Sequence, residues 1–157
     1  MTNQVTIQPS GHHYQVAEGD TILTGAIDAG FNLPYGCRNG ACGACKGKVL
    51  EGFVDHGDYQ PSALTEDEID AGLALFCCAK PLSNVQIECR EVSALNGIKP
   101  KILPVRVQSM EKLSHDVMAL FLKLPSNERM QFLAGQYIEF LMKDGQRRAF
   151  SLANAPH

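Results

Sequence analysis

The stretch CRNGACGACKGKV, residues 37–49, restricts this chain more than any other, because it sets three cysteines in the spacing C-x4-C-x2-C among glycines and alanines. Hydrophobic periodicity stops after Pro34, so the thiols sit in a loop and not on one face of a helix or strand. Clustering of this kind argues against cysteines that are simply small buried side chains. Glycine and alanine let a backbone pass close to something held inside the loop, and Gly36, Gly40, Gly43 and Gly47 can take positive φ angles that bulkier residues resist.

Four thiolates, two for each iron, hold a 2Fe-2S cluster, and a C-x4-C-x2-C run followed by a distant fourth cysteine is the plant-type ferredoxin spacing. Cys37, Cys42 and Cys45 make the run, and Cys77, at the end of the apolar stretch LALF, is the distant candidate. A helix there would deliver one thiol against the loop. A negatively charged cluster is stabilised by backbone N–H groups aimed at its sulfurs. Gly36, Arg38, Asn39, Gly40, Ala41, Gly43 and Ala44 are the loop positions expected to supply that backbone. The adjacent pair Cys77 and Cys78 leaves the fourth ligand formally ambiguous, with Cys78 expected to point away and Cys89 to pack with Val85 and Ile87.

Structural zinc uses the same ligand type, but zinc ribbons usually pair two C-x2-C knuckles, and here Cys42 and Cys45 make one. A Rieske centre requires two histidine ligands, and none of the five histidines lies in the thiol loop. The first sixteen residues, MTNQVTIQPSGHHYQV, lack the basic start, apolar run and small-residue cleavage site of a secretory signal. A reducing cytoplasm is therefore expected, where six cysteines point to metal in preference to disulfides. The net charge of −3 and the scattered lysines and arginines argue against nucleic acid. No stretch approaches the roughly 18 apolar residues of a membrane span.

Alternation around Val5, Ile7, Tyr14 and Val16, with a turn at Ser10-Gly11, predicts a hairpin. A helix follows, with Asp20 or Thr21 as N-cap, Ile22, Ala26 and Ile27 on one face and Gly30 at its C-terminal end. Residues 48–54 alternate as a strand, Thr65 to Glu68 form a capping box opening a helix toward Leu73, and residues 85–89 alternate again. These elements predict an α+β domain over residues 1–94. Residues 95–102, with Asn-Gly and a proline, read as a linker. Strands near 105–107, 117–124 and 135–141 then open an all-β second domain, residues 103–157, which is expected to be incomplete because no closing strands remove its edges.

YGCRNGACGACKGKV followed by FCCAKPLSNVQIE resembles the N-terminal ferredoxin domain of the fused ferredoxin–flavin reductases. That group includes reductase components of phenol, benzoate and methane oxygenases and the glucoseen reductases of dideoxysugar biosynthesis. The resemblance implies a β-grasp ferredoxin domain, then the start of a flavin-binding barrel, and it places Cys77 at the fourth ligand and Cys78 where the family usually has glutamine. Arg148-Ala149-Phe150-Ser151 stands where the family has an R-x-Y-S motif. By that likeness Arg148 faces an FAD phosphate, Phe150 packs on the flavin or ribityl chain, and Ser151 approaches the reactive ring edge. An alternating strand with exposed arginines is the plainer reading of the same residues. The resemblance further implies NAD(P)H as electron donor, bound by a domain beyond His157, and a deoxysugar dehydrase or oxygenase component as acceptor. A zinc-binding interaction module and a free-standing ferredoxin with a vestigial tail are the alternatives.

Residues 51–70 carry seven carboxylates and no lysine or arginine. They suit either a docking face for a basic partner or a solvated surface with acids at a helix N-terminus. His56 in that stretch is expected at the surface. Arg38 and Asn39 are candidates for touching the partner or adjusting potential.

Overall fold

The structure, a computed structural model, describes residues 2–92 and 101–156. It divides into two compact units, Met1–Lys99 and Pro100–His157. The expected domain boundary at 94 and most of the expected linker, residues 95–100, lie outside the described residues.

The first unit is α+β. Strands β1 (Thr2–Gln8) and β2 (His13–Ala17) form the expected antiparallel hairpin, with Val5 opposite Tyr14. Helix α1 (Ile22–Ala29) follows, and Thr21, not Asp20, is its cap, accepting a hydrogen bond from the Thr24 amide. Gly30 ends it in the left-handed conformation, where glycine has no steric penalty.

The expected single strand over 48–54 is two strands: β3 (Lys46–Glu51) ends at Gly52, whose φ is 89°, and β4 (Val54–Asp55) starts a separate ribbon. The capping box at Thr65 and Glu68 is present, but its helix α2 (Glu66–Asp70) is a little over one turn long. Beyond Gly72 the LALF stretch is a strand, β5 (Leu73–Leu75), where a helix was expected. Its continuous apolar character is that of a strand buried on both faces, which periodicity alone does not distinguish from a helix. Strands β6 (Lys80–Pro81) and β7 (Val85–Glu88) complete the unit.

The main sheet runs β2-β1-β7-β3-β5, with β1 and β7 parallel and the other neighbours antiparallel. This mixed sheet with α1 laid across it is the β-grasp arrangement. Gly25 allows the close approach of α1, since a Cβ there would come within 2.6 Å of Val16. The core between them includes Val5, Ile7, Ile22, Leu23, Leu75, Phe76 and Ile87, each no more than 1% exposed.

The second unit pairs β8 (Arg106–Lys112) with β9 (Met118–Lys123), and β10 (Tyr137–Leu141) with β11 (Arg147–Ser151). It is all-β, as expected. Among the described residues every fully buried apolar side chain lies between Val5 and Cys89, and no closed barrel is formed.

Candidate metal centre

The antiparallel register of β3 and β5 builds the site. Lys46 lies opposite Leu75, and the ladder continues one step through the Phe76 amide, which donates to the Cys45 carbonyl at 3.1 Å. That step sets Cys45, at the end of the thiol loop, near Cys77, in the turn that follows β5. Gly47 is glycine because a Cβ there would strike the Phe76 ring. The turn after β5 is closed by Cys78 and Ala79 amides donating to the Leu75 carbonyl. It is clipped to α1, whose Ile22 and Leu23 amides donate to the carbonyls of Ala79 and Phe76. Two orphan donors of the helix N-terminus thus hold the fourth thiol in place.

Residues 37–45 curl with their amides inward. The Cys37 sulfur accepts from the Ala41 and Cys42 amides, each at 3.3 Å. The Cys42 sulfur accepts from the Cys37 amide at 3.3 Å and the Ala44 amide at 3.5 Å. The Asn39 amide also faces Cys37, and the Gly40 amide faces Cys77. Four of the seven expected loop positions, Asn39, Gly40, Ala41 and Ala44, therefore present amides to sulfur. Gly36 contributes by lacking a side chain, since a Cβ there would sit 2.9 Å from the Cys42 sulfur.

The expected positive φ angles occur at Gly40 (73°) and Gly43 (75°), whereas Gly36 and Gly47 are needed for space. The third left-handed residue of the loop is Arg38, at φ 59°, with its guanidinium 5.8 Å from the Tyr35 ring centroid. A non-glycine residue in that region is uncommon and strained, which composition does not announce.

The four thiols fall into two pairs. Cys37 and Cys42 share hydrogen bonds in the outer loop, where Cys42 is exposed, while Cys45 and Cys77 are neighbours in the interior at 3% and 9% exposure. Among the described residues no three cysteine, histidine or carboxylate side chains converge on a single-ion site. Burial raises Cys37, but the amides of Asn39, Ala41 and Cys42 outweigh it and hold the thiol below its usual range. The neighbouring Cys45 thiol holds Cys77 down to about 6 against burial, while Cys77 and then burial push Cys45 up. A thiol biased toward thiolate is in the form that binds metal.

Cys78 departs from the sequence reading. It does not point away: its sulfur lies 3.6 Å from that of Cys77, and a Cβ on Gly40 would come within 2.9 Å of it. Burial, then the neighbouring Cys77, push it up to about 12. Cys89 is buried as expected, just past the end of β7, and burial followed by Glu91 pushes it up to about 11. His56 is half-buried where a surface position was expected, and its Nδ1 is buried without a hydrogen bond among the described residues. Residues 58–59 back the loop, with the Asp58 carbonyl and Tyr59 Cα against Gly40.

In the second unit Arg148 and Phe150 alternate onto one face of β11 and Ser151 falls on the other. Phe150 is half-exposed and meets Phe140 edge-on at 5.5 Å. Arg147 is paired with Glu139 at 3.0 Å.

Comparison with known proteins assigns the class. Residues 5–82 match the 2Fe-2S iron-sulfur cluster binding domain, and residues 104–157 match the oxidoreductase FAD-binding domain. The first unit thus matches the 2Fe-2S cluster binding domain and the second matches the FAD-binding domain of oxidoreductases, the order also found in the reductase components to which the chain is similar. It is 36% identical over 156 residues to the CDP-6-deoxy-L-threo-D-glycero-4-hexulose-3-dehydrase reductase of Yersinia pestis, covering 99% of this chain and 46% of that protein. It is 39% identical over 160 residues to the phenol 2-monooxygenase reductase component DmpP of Pseudomonas sp. (strain CF600), covering 99% and 44%. The solved structure of the Amycolatopsis reductase GcoB superposes with a TM-score of 0.75 at 32% identity, covering 99% of this chain and 46% of that one. The chain thus spans about half the length of the curated relatives it matches.

Proposed function

We propose that Cys37, Cys42, Cys45 and Cys77 hold a 2Fe-2S cluster through which this chain carries single electrons. In this reading it is the front end of an NAD(P)H-dependent flavin reductase serving an acceptor enzyme, a deoxysugar dehydrase or an oxygenase component. The observation that carries the reading is the pairing of the thiols. Two irons with two thiolates each are matched by an outer pair, Cys37 and Cys42, and an inner pair, Cys45 and Cys77. A mononuclear zinc site needs three or four donors on one ion.

When bound, the cluster accepts and releases one electron at a time, while FAD exchanges one or two. The residues supply the surroundings. Amides of Asn39, Gly40, Ala41 and Ala44 meet sulfur with the positive ends of their dipoles, which stabilises added negative charge without side-chain movement. The inner pair belongs to the same buried core as Phe76, Leu64 and Ala79. Arg148, Phe150 and Ser151 are assigned to FAD on the strength of the R-x-Y-S likeness: a guanidinium fork suits a phosphate and a half-exposed aromatic suits a flat ring.

The acids of residues 51–70 divide in the structure. Glu51 bonds Gln86 and Glu68 bonds Lys46, while Asp58 is exposed and its carbonyl adjoins Gly40. The exposed carboxylates form the face offered to a basic acceptor surface, and charge reversal at Asp58 and Glu66 that left electron-transfer rate and its salt dependence unchanged would remove that part of the proposal. A reducing cytoplasm suits six free thiols. No described helix is long and apolar enough to cross a membrane.

The test is anaerobic absorption and electron paramagnetic resonance, oxidised and dithionite-reduced, on protein assayed for iron, sulfide and zinc. Two irons, two sulfides and a rhombic signal appearing on reduction are expected. A colourless, zinc-loaded, silent protein would overturn the proposal.

A further inference from the structure

The position after the fourth candidate ligand carries a second sulfur that neither domain match assigns a role. Cys78 is fixed from three directions. Its amide donates to the Leu75 carbonyl at 2.9 Å, its carbonyl lies so close to Gly57 that a Cβ there would come within 2.8 Å, and its sulfur rests where a Gly40 side chain would be. These restraints leave the sulfur 3.6 Å from that of Cys77, within hydrogen-bonding reach for two sulfurs.

We propose that the Cys78 thiol donates an S–H···S hydrogen bond to the Cys77 sulfur and thereby raises the potential at which the centre accepts an electron. The inference rests on Cys77 being the fourth ligand. Chemistry then fixes the direction of the bond: a ligating cysteine has given up its proton and can only accept, so the proton between the two sulfurs belongs to Cys78. The bond draws electron density from the ligand sulfur. Reduction adds one negative charge shared with the ligand sulfurs, so the bond is stronger in the reduced state and favours it. Cys78 itself stays out of the ligand set, because Cys77 already faces the inner partner Cys45 and receives the Gly40 amide.

The experiment is a redox titration, followed by electron paramagnetic resonance, of the cluster-loaded chain and its Cys78→Ala, Cys78→Val and Cys78→Ser variants, each assayed for iron and sulfide. Ala and Val remove the donor, and Val keeps much of the volume should Ala fold poorly. Both are expected to keep the full cluster and to lower the reduced-to-oxidised ratio at a fixed potential about threefold, the effect of losing one weak sulfur hydrogen bond. Ser restores a donor and is expected to recover most of that ratio. A full cluster with an unchanged potential in Ala and Val would overturn the proposal, as would an equal shift in all three, which would mark a packing effect. Failure of the ligand assignment shows in metal content: Cys77→Ala retaining two irons and two sulfides while Cys78→Ala loses them makes Cys78 the ligand and also ends the proposal.

Discussion

The ε-ammonium of Lys46 lies 2.6 Å from one carboxylate oxygen of Glu68, and the other oxygen of Glu68 accepts the Thr65 amide at 2.9 Å. One carboxylate thus closes the cap of α2 and grips the first residue of β3, directly after Cys45. Lys46, then the Thr65 amide, hold the Glu68 carboxyl below the usual carboxylate range. A group depressed on folding stabilises the fold above its ordinary value of about 4.3 and loses that contribution as pH falls through its lowered folded value. Glu68→Gln is expected to melt at lower temperature than the unchanged chain at pH 7, with the difference shrinking as pH falls below the ordinary carboxylate value. A pH-independent difference in the melts would contradict the linkage.

Serine in place of each candidate ligand is expected to divide the six cysteines. At Cys37, Cys42, Cys45 or Cys77 it should reduce retained iron about tenfold or more, since even partners behind the ligands are worth 10–100-fold. At Cys89, buried past the end of β7, it should leave iron and sulfide unchanged and lower stability by about 1 kcal/mol. Metal analysis with denaturant unfolding of the same samples reads both quantities.

Gly11 and Gly40 separate backbone strain from crowding. Both have left-handed φ angles, 75° and 73°, but a Cβ on Gly11 meets open space while one on Gly40 meets the Tyr59 backbone at 2.8 Å. Gly11→Ala should cost roughly 1–2 kcal/mol, the left-handed penalty alone. Gly40→Ala should cost about 1–3 kcal/mol more through the forced displacement and should also lower cluster retention.

Arg147 and Arg148 are expected to differ in flavin titrations. Arg148→Ala should weaken FAD binding by about tenfold, the value of one charge-assisted hydrogen bond, whereas Arg147→Ala, whose arginine is paired with Glu139, should change it little. Equal effects at the two positions would argue against the assignment of Arg148.

What was legible in the sequence follows what is local. The hairpin, both helix caps and the thiol loop are set by residues a few positions apart, and each is written in alternation, side-chain oxygens or glycine. Cys77 was legible as a thiol, but its delivery was not. The LALF run fits a helix and a doubly buried strand equally, and the choice belongs to β3, which offers β5 a ladder from Lys46 onward. The direction of the Cys78 side chain depends on Gly40 and Gly57, nearly forty and twenty residues away, which no local pattern reveals. Arg38 is a different case. Four nearby glycines drew attention as the flexible positions, yet Arg38 takes a left-handed angle that Gly36 and Gly47 do not.

The ladder that sets Lys46 opposite Leu75 gives the sheet a means of proofreading itself. Strand pairing has a side-chain period of two, so sliding β5 by one residue along β3 would turn Cys77 to the opposite face and bring Phe76 out of the core. A slipped sheet would still satisfy much of its backbone hydrogen bonding, but it could not close the inner thiol pair. Metal capture by all four thiols, which adds its binding free energy to folding, would therefore reward one alignment of these two strands and leave the misaligned chain empty.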